Sequence, residues 1–351
     1  MSLKEVRKRI DLLDSKILKL LNDRMGLVLM TKKFKSRIED RNREKELFDR
    51  IKRDSTRLIN ADFIQRVYAE IVKESKDLQR KDYKLIAFQG EHGAYSEVAA
   101  REWDRDLVPM PCAEFADVFE GVESGLYDYG IVPVENTLGG VVGQVNELLI
   151  GTELFLVGAI EFPIHHCLLA LPETDHREIR AVYSHPQALA QCRRFLARNK
   201  LQPISYSDTA GAARMLAEQR PKASAAIASK LAAELYALDI IKEDIEDLDR
   251  NMTRFLLLSK EENREEGDKC SIIFSTEHKS GTLFRVLEVF AKENINLTKI
   301  ESIPNEPGNY AFFLDFIGSK KDEKVAKAIE TVKEMTTNFK LMGSYRERKV
   351  T

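Results

Sequence analysis

Residues 6–24 read VRKRIDLLDSKILKLLNDR, and their apolar residues recur at alternating intervals of three and four. The spacing extends on both sides, through Leu3, Val6, Ile10, Leu13, Ile17, Leu20, Leu27, Phe34 and Ile38. This period places the apolar side chains along one face of an α-helix. The stretch therefore predicts one long helix of about thirty-five residues.

Two shorter helices are predicted before residue 80. One runs from about Arg43 to Arg53, and the other from about Asp62 to Gln79, capped by Asn60. Three helices of unequal length cannot cover the apolar face of the longest one. A homodimer that supplies the missing surface is the expected solution.

Polar side chains interrupt these apolar stripes. Arg24 stands where the first helix needs an apolar residue, and Ser75 and Gln79 lie four apart along the apolar side of the third helix. A buried guanidinium needs an anionic partner. The partner can be Glu44 or Asp40 in an internal salt bridge, or it can be an anionic ligand. A side chain that reaches solvent at an edge avoids the requirement.

Arg7 precedes Arg24 by seventeen positions, which is roughly 25 Å along a helix. No small metabolite spans that distance. If both arginines serve one ligand, one of them belongs to a second chain that runs antiparallel.

Residues 1–80 resemble an all-helical chorismate mutase of the AroQ class, through VRKRIDLLDSKILKLLNDR, KKFK at 32–35, RNRE at 41–44 and ESKDLQ at 74–79. The resemblance implies a substrate site of eight residues. They are Arg7 (of the partner subunit), Arg24, Lys35, Asp40, Arg43, Glu44, Ser75 and Gln79.

By this resemblance the three arginines hold the two substrate carboxylates, and Lys35 and Gln79 face the ether oxygen. Asp40, Glu44 and Ser75 hold the substrate hydroxyl and line the pocket. The rearrangement of chorismate to prephenate needs no nucleophile, metal or proton transfer. It needs the reactive conformer to be held and the charge on the ether oxygen to be stabilised, which cations and an amide can do.

The pattern changes after the polar run at 79–82. Short apolar runs now alternate with helical patterns, and strands are predicted at Leu85–Phe88, Gly130–Val134, Ala181–Tyr183, Ile204–Tyr206, Ala225–Ala228 and Phe255–Leu258. Strand, polar turn and helix in repetition indicate an α/β fold with a mainly parallel sheet. Ligands of such folds bind at the carboxyl ends of the strands.

Four polar turns open predicted helices in this segment: FQGEHGAYS at 88–96, VPVENTLGG at 132–140, YSHPQALAQC at 183–192 and YSDTAGAA at 206–213. Free N–H groups at helix starts attract carboxylates. Asp208 can equally be an ordinary helix cap, and His185 a turn residue. His165 and His166 have no Cys or carboxylate at metal spacing, so no metal site is expected.

The segment from Tyr83 to Lys260 resembles prephenate dehydratase, because NMTRF at 251–255 carries that family's TRF motif and the turns above also match. The resemblance implies two α/β lobes, similar to periplasmic binding proteins, with the site between them. It implies that Thr253 is the central catalytic residue. Arg254 is expected to be structural, because its neighbour Phe255 points the opposite way along a strand. The implied pocket residues are Glu135, Asn136, Thr137, Ser184 and Gln191.

A charged linker at 260–269 precedes a βαββαβ pattern, which is the ferredoxin-like α+β order. HKSGTLFRVLEVFAKENINLTKIES at 278–302 resembles an ACT regulatory domain. The resemblance implies phenylalanine as the effector, held by residues of the SGTL turn and of the following ES pair. These allosteric residues are Gly281, Thr282, Leu283, Glu301 and Ser302.

Ile303 stands where the related dehydratases usually carry Arg, and Ile303→Arg is expected to shift the phenylalanine response if this position matters. A domain that only dimerises is the alternative to a sensor. A bifunctional enzyme of phenylalanine biosynthesis is therefore expected, with a mutase at 1–80, a dehydratase at 83–260 and an ACT domain at 270–347. An arogenate dehydratase and a pure binding protein remain the alternatives.

The charge balance, 55 Lys+Arg against 57 Asp+Glu, gives no reason to expect nucleic acid as a partner. No run is apolar enough for a membrane helix, and no cofactor is expected. Four scattered cysteines without a CxxC pair, and a charged first segment unlike a signal peptide, predict the reducing cytoplasm. The expected assembly is a homodimer or a tetramer formed by two such dimers.

Overall fold

The computed structural model describes residues 2–35, 37–54, 58–263, 267–277, 279–306 and 309–350. The chain forms two compact units. The first comprises Met1–Leu85 and Asp106–Val108, and the second comprises Ile86–Arg105 and Pro109–Thr351. Within the described residues, every helix is too short or too polar to cross a bilayer.

The first unit is helical, with α1 Leu3–Thr31, α2 Arg41–Asp54 and α3 Ala61–Arg80. The Asn60 side chain accepts a hydrogen bond from the Phe63 N–H, which confirms the predicted cap of α3. The prediction that the first helix continues to Ile38 is wrong. A 3₁₀ turn, Lys32–Phe34, follows α1, and Lys35 is extended. Phe34, the next apolar residue of the stripe, is 78% exposed, so no packing within the chain supports a further helical turn there.

The apolar stripe of α1 is only partly covered within one chain. Leu29 on α1 and Val72 on α3 are buried where these helices pack. Leu13 and Ile17, by contrast, are 58% and 54% exposed. One chain therefore leaves a long apolar face uncovered, as the unequal helix lengths predict.

The second unit begins with an α/β part. Its strands are β1 Leu85–Gln89, β2 Val108–Cys112, β3 Tyr129–Asn136, β4 Gly140–Val141, β5 Phe155–Pro163, β6 Cys167–Ala170, β7 Ala181–Ser184, β8 Gln202–Ser205, β9 Ser224–Ala228, β10 Asp239–Lys242 and β11 Met252–Ser259. Its helices are α4 Tyr95–Trp103, α5 Phe115–Glu123, α6 Gly143–Gly151, α7 Pro186–Gln191, α8 Arg193–Arg198, α9 Thr209–Gln219 and α10 Lys230–Tyr236. All six predicted strands are present.

The last part contains β12 Lys269–Ser275, α11 Thr282–Lys292, β13 Leu297–Glu306, β14 Asn309–Ile317, α12 Glu323–Met335 and β15 Thr337–Tyr345. Its sheet order is β13-β14-β12-β15, and the neighbouring strands are antiparallel. This arrangement confirms the predicted βαββαβ order. The phenyl rings of Phe274, Phe290 and Phe316 lie in its buried core.

Two sheets organise the α/β part. The first has the order β16-β5-β11-β3-β1-β2, in which β4 also pairs with β3 and β16 is Glu347–Lys349. The second has the order β10-β6-β9-β7-β8. Through β16, the last strand of the chain lies parallel to β5 and ties the C-terminal part to the first sheet.

The prediction of a mainly parallel sheet is wrong for the central strands. β1 is parallel to β3, and β7 is parallel to β8 and β9. However, β11 runs antiparallel to both β3 and β5, and β6 runs antiparallel to β9. The chain crosses between the sheets at 164–166 and 243–251 without a helix, so the βαβ rule does not apply there.

Candidate functional site

A cavity of about 460 Å³ lies between the two sheets of the α/β part. The start of α4 at Tyr95 and the start of α9 at Thr209 border it, together with the loop at 139–142. Thr253 enters it from β11 in the first sheet. These helix starts and strand ends meet at one cleft, as the pattern of polar turns predicts.

Two of the polar turn residues act as helix caps. The Asp208 carboxylate accepts from the Gly211 N–H at 2.6 Å, and the His185 ring accepts from the Gln187 N–H at 3.3 Å. The capping interpretation of Asp208 is thus confirmed. Burial lowers the pKa of His185, against the opposing effect of the Asp208 carboxylate.

Thr253 is held by a neighbouring amide. The Asn136 Nδ2 atom donates to Thr253 Oγ1 at 2.8 Å and to Asn251 Oδ1 at 2.8 Å. The Asn136 Oδ1 atom accepts from the backbone N–H groups of Leu138 and Gly139 at 3.0 and 2.7 Å. The Thr253 side chain is 7% exposed. Its hydroxyl hydrogen has no acceptor among the described residues, so it is free to donate to a ligand in the cavity.

Further polar side chains extend the hydrogen-bond network around Asn136. Gln191 Nε2 lies 3.3 Å from Asn136 Oδ1, and Gln191 Oε1 accepts from Asn251 Nδ2 at 3.1 Å. His166 Nε2 lies 2.7 Å from Gln191 Oε1, and His166 Nδ1 lies 2.7 Å from the Tyr95 hydroxyl. The chain of contacts therefore runs from Tyr95 to Thr253.

Burial favours the neutral form of the histidine in this network. Burial lowers the pKa of His166, against the hydrogen bond to Gln191 and the Glu246 carboxylate, and burial raises the pKa of Tyr95. The one hydrogen of the Tyr95 hydroxyl lies within reach of two acceptors, the His165 carbonyl at 2.9 Å and His166 Nδ1 at 2.7 Å. A neutral imidazole that donates from Nε2 to Gln191 requires the second arrangement. The Gln191 amide is then fixed with its nitrogen toward Asn136.

Three predicted pocket residues do not line this cavity, which corrects the sequence interpretation. Glu135 faces the other side of β3, because adjacent strand residues point to opposite faces. Thr137 Oγ1 donates to the Arg250 carbonyl at 2.6 Å. Ser184 is fully buried and donates to the Ile227 carbonyl at 2.6 Å.

Sequence reasoning missed Tyr95, His166 and Asn251 as site residues. Asn251 stands in the quoted NMTRF motif and Tyr95 in the GAYS turn, but neither spacing predicts which side chains meet. His166 was considered only as a metal ligand. The feature that marks His166 as a site residue is the burial of its ring next to a cleft, and burial is not visible in the sequence.

No Cys or carboxylate stands at metal-ligand spacing from His165 along the sequence, but the fold brings two carboxylates close to it. His165 Nδ1 lies 3.2 Å from Asp244 Oδ1 and 3.0 Å from Glu246 Oε1. In the described part of the chain, this is the one group of side chains with metal-ligand proximity. A hydrogen bond from the His165 ring to these carboxylates accounts for the same distances.

In the helical unit, three predicted residues meet between α1 and α3. Arg24 Nη1 donates to Ser75 Oγ at 2.6 Å, and Gln79 Nε2 donates to the Val28 carbonyl at 2.8 Å and to Thr31 Oγ1 at 2.7 Å. Ser75 and Gln79 are buried. Across the described residues, the structure gives Arg24 no carboxylate partner, so the internal salt bridge is not formed.

The remaining predicted mutase residues lie apart. Lys76 Nζ is 2.7 Å from Glu44 Oε1, and Asp40 Oδ1 accepts from the Arg43 N–H at 3.0 Å. Lys35 and Asp40 line a shallow depression of about 420 Å³.

Arg43 is exposed and pairs with Glu46 at 3.1 Å. Arg7 is exposed on the continuous helix α1, roughly 25 Å from Arg24 along its axis. One chain therefore brings only part of the predicted set together.

The C-terminal part carries a third cavity, of about 430 Å³, lined by Thr276, Glu277, Lys279, Ser280, Gly281, Thr282, Leu283, Phe284, Tyr310 and Phe312. Gly281 has φ +82°, a left-handed conformation that favours glycine, and it precedes α11. Glu301 and Ser302 lie on β13, outside this lining, with Ser302 opposite Phe312. His278, in the quoted motif, lies outside the described residues.

Three family models match the chain in order. Chorismate mutase type II matches residues 6–80, prephenate dehydratase matches residues 86–263, and the ACT domain matches residues 271–334. A bifunctional chorismate mutase/prephenate dehydratase of Aquifex aeolicus (strain VF5) is 38% identical over 98% of this chain and 97% of its own.

Two further proteins are similar over the last three quarters of the chain. Arogenate dehydratase/prephenate dehydratase 2, chloroplastic, of Arabidopsis thaliana is 40% identical over 74% of this chain and 72% of its own. The crystal structure of prephenate dehydratase in complex with L-Phe from Arthrobacter aurescens matches with a TM-score of 0.70 and 30% identity, over 75% of this chain and 89% of its own.

Proposed function

We propose a division of labour within this chain, which belongs to the bifunctional chorismate mutase/prephenate dehydratase family. Residues 1–80 form the mutase, residues 83–260 the dehydratase and residues 270–347 the ACT regulatory domain. The chain is an enzyme that rearranges chorismate to prephenate and then converts prephenate to phenylpyruvate. The observation that carries the residue-level proposal is the Thr253 hydroxyl, which accepts a hydrogen bond from Asn136 and lines the cleft.

The mutase works as a homodimer in this proposal. Arg24, Ser75 and Gln79 form one half of the site, and the partner subunit's Arg7 completes it. The uncovered apolar face of α1, which includes Leu13 and Ile17, supports this assembly because a second copy would cover it. Lys35, Asp40, Arg43 and Glu44 close over the substrate from the segment that follows α1.

The mutase site lowers the barrier by positioning and by charge. Arginines bind the two carboxylates through paired N–H donors and hold chorismate in its reactive conformer. As the ether C–O bond breaks, negative charge develops on that oxygen. Gln79 and Lys35 stabilise it by hydrogen bonding, and no proton needs to move.

In the dehydratase, Thr253 donates its hydroxyl hydrogen to the leaving hydroxyl of prephenate. The bond to the ring carboxylate breaks, carbon dioxide leaves, and the electron pair forms the aromatic ring. The hydroxyl group leaves as water, and the Thr253 oxygen regains its proton from solvent. Asn136 and Gln191 orient Thr253, and the helix starts at Tyr95 and Thr209 attract the substrate carboxylates. A neutral set of donors suffices because aromatisation drives the step.

Phenylalanine binds at the ACT loop in this proposal and inhibits the dehydratase. The cavity around Gly281, Thr282 and Leu283 supports it, with the Phe312 ring on its wall. The similar Arthrobacter aurescens protein is described in complex with L-Phe. Glu301 and Ser302 act from β13, next to the strand that carries Phe312.

Arogenate is the second candidate substrate, because a relative with 40% identity is called an arogenate dehydratase/prephenate dehydratase. Arogenate carries an amino group where prephenate has a keto oxygen, and the leaving groups are the same. A pure binding protein would show no turnover at all. We also propose that the enzyme works in the reducing cytoplasm, since all four cysteines are buried and free.

One time course tests these assignments. Purified protein receives chorismate, and prephenate and phenylpyruvate are followed together, with and without phenylalanine. Both products should appear in sequence, with the second step slowed by phenylalanine. Prephenate that accumulates alone would reject the prephenate dehydratase assignment and direct the next assay to arogenate. Folded protein that forms neither product would reject both activities.

A further inference from the structure

Two cross-strand residue pairs lie next to each other at the centre of the first sheet. In the register of β3 and β11, Thr253 lies opposite Asn136, and Arg254 lies opposite Glu135. Thr253 and Asn136 face the cleft. Arg254 and Glu135 face the opposite side, where they line a cavity of about 760 Å³ shared with the ACT strands. The same short backbone segments thus carry the catalytic groups on one face and charges on the other.

Arg254 is deeply buried among ACT-domain groups. Its Nη1 donates to Asp315 Oδ2 at 2.6 Å, its Nε to Glu347 Oε1 at 2.5 Å and its Nη2 to the Tyr345 hydroxyl at 3.2 Å. Asp315 accepts a second bond from Ser271 Oγ at 2.5 Å. The guanidinium keeps its charge, because the carboxylates outweigh the effect of burial and raise its pKa.

Glu135 makes the second connection. Lys299 Nζ donates to Glu135 Oε2 at 2.6 Å, and the Lys299 side chain is nearly buried. Lys299 and Asp315 are opposite each other in the register of β13 and β14. Two neighbouring ACT residues therefore hold two neighbouring dehydratase residues. We name Glu135, Arg254, Lys299 and Asp315 the charged bridge.

The strands of the charged bridge also reach the effector loop. Phe312 lines the loop cavity three positions before Asp315 on β14, and Ser302 follows Lys299 by three positions on β13. Phe312 and Ser302 are themselves opposite each other. A shift of these two strands at the loop would be carried to Lys299 and Asp315, because neighbouring strand residues move together.

We propose that Arg254 and Glu135 are positioning residues for the dehydratase step. The charged bridge fixes the backbone of Thr253 and Asn136 from the far face of the sheet, and effector binding acts on the cleft through it. This inference rests on the proposed function and deepens it. It also gives Glu135 a role that requires no contact with substrate.

Lys299→Met provides the main test, because it removes the ACT side of one connection and keeps a side chain of similar length. The assay measures kcat and KM for prephenate and the phenylalanine concentration at half inhibition. We expect kcat to fall about tenfold while KM changes little, since a misplaced catalytic group loses rate more than binding. The half-inhibition point should move about fivefold or more, the range of typical site-to-site coupling.

Two comparisons sharpen the test. Lys299→Arg keeps the charge and should stay near wild type. Glu135→Gln should resemble Lys299→Met, and the double variant should be no worse than Glu135→Gln alone, because both remove one interaction. Lys327→Met is the matched control. It breaks a Lys–Glu pair of 2.7 Å between the ACT helices, away from the bridge, and should leave kcat and phenylalanine inhibition unchanged.

Mutase activity of each variant measures the concentration of active protein, and calorimetric phenylalanine binding shows that the ACT domain is folded. Full kcat and unaltered inhibition in Lys299→Met would overturn the inference while leaving the proposed function intact. A large loss of kcat in Glu135→Gln that Lys299→Met does not share would also overturn it, because it would assign Glu135 to the substrate. A wild-type enzyme without dehydratase activity would overturn the proposed function and the inference with it.

Discussion

The helical unit and the two-sheet cleft differ in how far a single chain brings their candidate catalytic groups together. In the helical unit, Arg7 is exposed, and Ser75 is the one side chain bonded to Arg24 among the residues that the structure describes. The apolar face around Leu13 stays open. In the cleft, Thr253 and Asn136 are joined within one chain by a bond of 2.8 Å. In the proposed function, the first site takes a residue from a second chain, whereas the second site is formed within one chain.

The difference follows from the chemistry that each site performs. A rearrangement without proton transfer needs strong fixed charges, and arginines keep theirs in partly exposed positions. A hydroxyl that donates one hydrogen bond must be oriented by buried neutral neighbours, here Asn136 and Gln191. Charged side chains can therefore be supplied by separate chains, whereas a network of neutral hydrogen-bonding side chains needs the fixed packing of one core.

Among the substitutions that test this difference, Thr253→Ala should have the largest effect on activity. It removes the only proposed donor to the leaving hydroxyl, and dehydratase kcat should fall about 10²–10³-fold, as for loss of one oriented donor elsewhere. Mutase activity should be unchanged because its groups lie in the helical unit. Both activities are measured on one preparation, from prephenate and from chorismate.

Thr253→Ser is the matched control, since it keeps the hydroxyl, and it should retain most of the dehydratase activity. An equal loss of both activities in Thr253→Ala would point to a folding defect. A Thr253→Ala enzyme of normal dehydratase activity would remove Thr253 from the mechanism.

Arg7→Ala and Arg24→Ala should each lower mutase activity about 10²-fold, because each removes a charge-assisted contact to a carboxylate. After subunit exchange, an equal mixture should recover roughly a quarter of wild-type activity, since half of the dimers are hybrids with one intact site each. Exchange is verified with differently tagged chains. A fully exchanged mixture that stays inactive would contradict the shared site.

The burial of His166 beside the cleft predicts a pH dependence for the stability of the second unit. The folded pKa of His166 lies below its unfolded value of about 6.5, so the unfolded chain takes up a proton first as the pH falls. Stability of the second unit should therefore decline progressively below about pH 6.5 and stay level above it. Urea unfolding between pH 5 and 8 measures this.

His166→Asn should flatten that decline, whereas His176→Asn, at an exposed histidine, should leave it unchanged. Equal slopes in wild type and His166→Asn would show that another group causes the effect. The mutase reaction, followed over the same pH range, provides the internal reference.

The smallest effect is expected in the ACT domain. Ile303 is 4% exposed and lies opposite Ala311, so Ile303→Val should cost about 0.5–1.5 kcal/mol of stability, as for loss of one buried methylene. Mutase activity and basal dehydratase activity should not change. Thermal unfolding with and without phenylalanine tests this. A stability equal to wild type would show that the position tolerates a cavity.

Ile303→Arg would place a guanidinium in the same buried position. We therefore expect it to destabilise the domain as well as to shift the phenylalanine response. The structure adds this cost to the expectation from sequence alone.

Local patterns in the sequence predict much of the fold. The cap at Asn60, the six strands and the βαββαβ order all depend on neighbours within a few positions, and the structure confirms them. The end of α1 at Thr31 and the antiparallel β11 were predicted incorrectly. Both depend on what packs against the segment, which residue spacing does not encode.

The sequence by itself determined the residue types of both sites, because helical period, strand runs and motifs are properties of neighbouring positions. Only the tertiary structure decided which side of β3 each residue faces, and so separated Asn136 in the cleft from Glu135 at Lys299. It also joined His166 to Gln191 and Arg254 to Asp315. These contacts join distant parts of the chain, and they form only when the sheets and the ACT domain pack together.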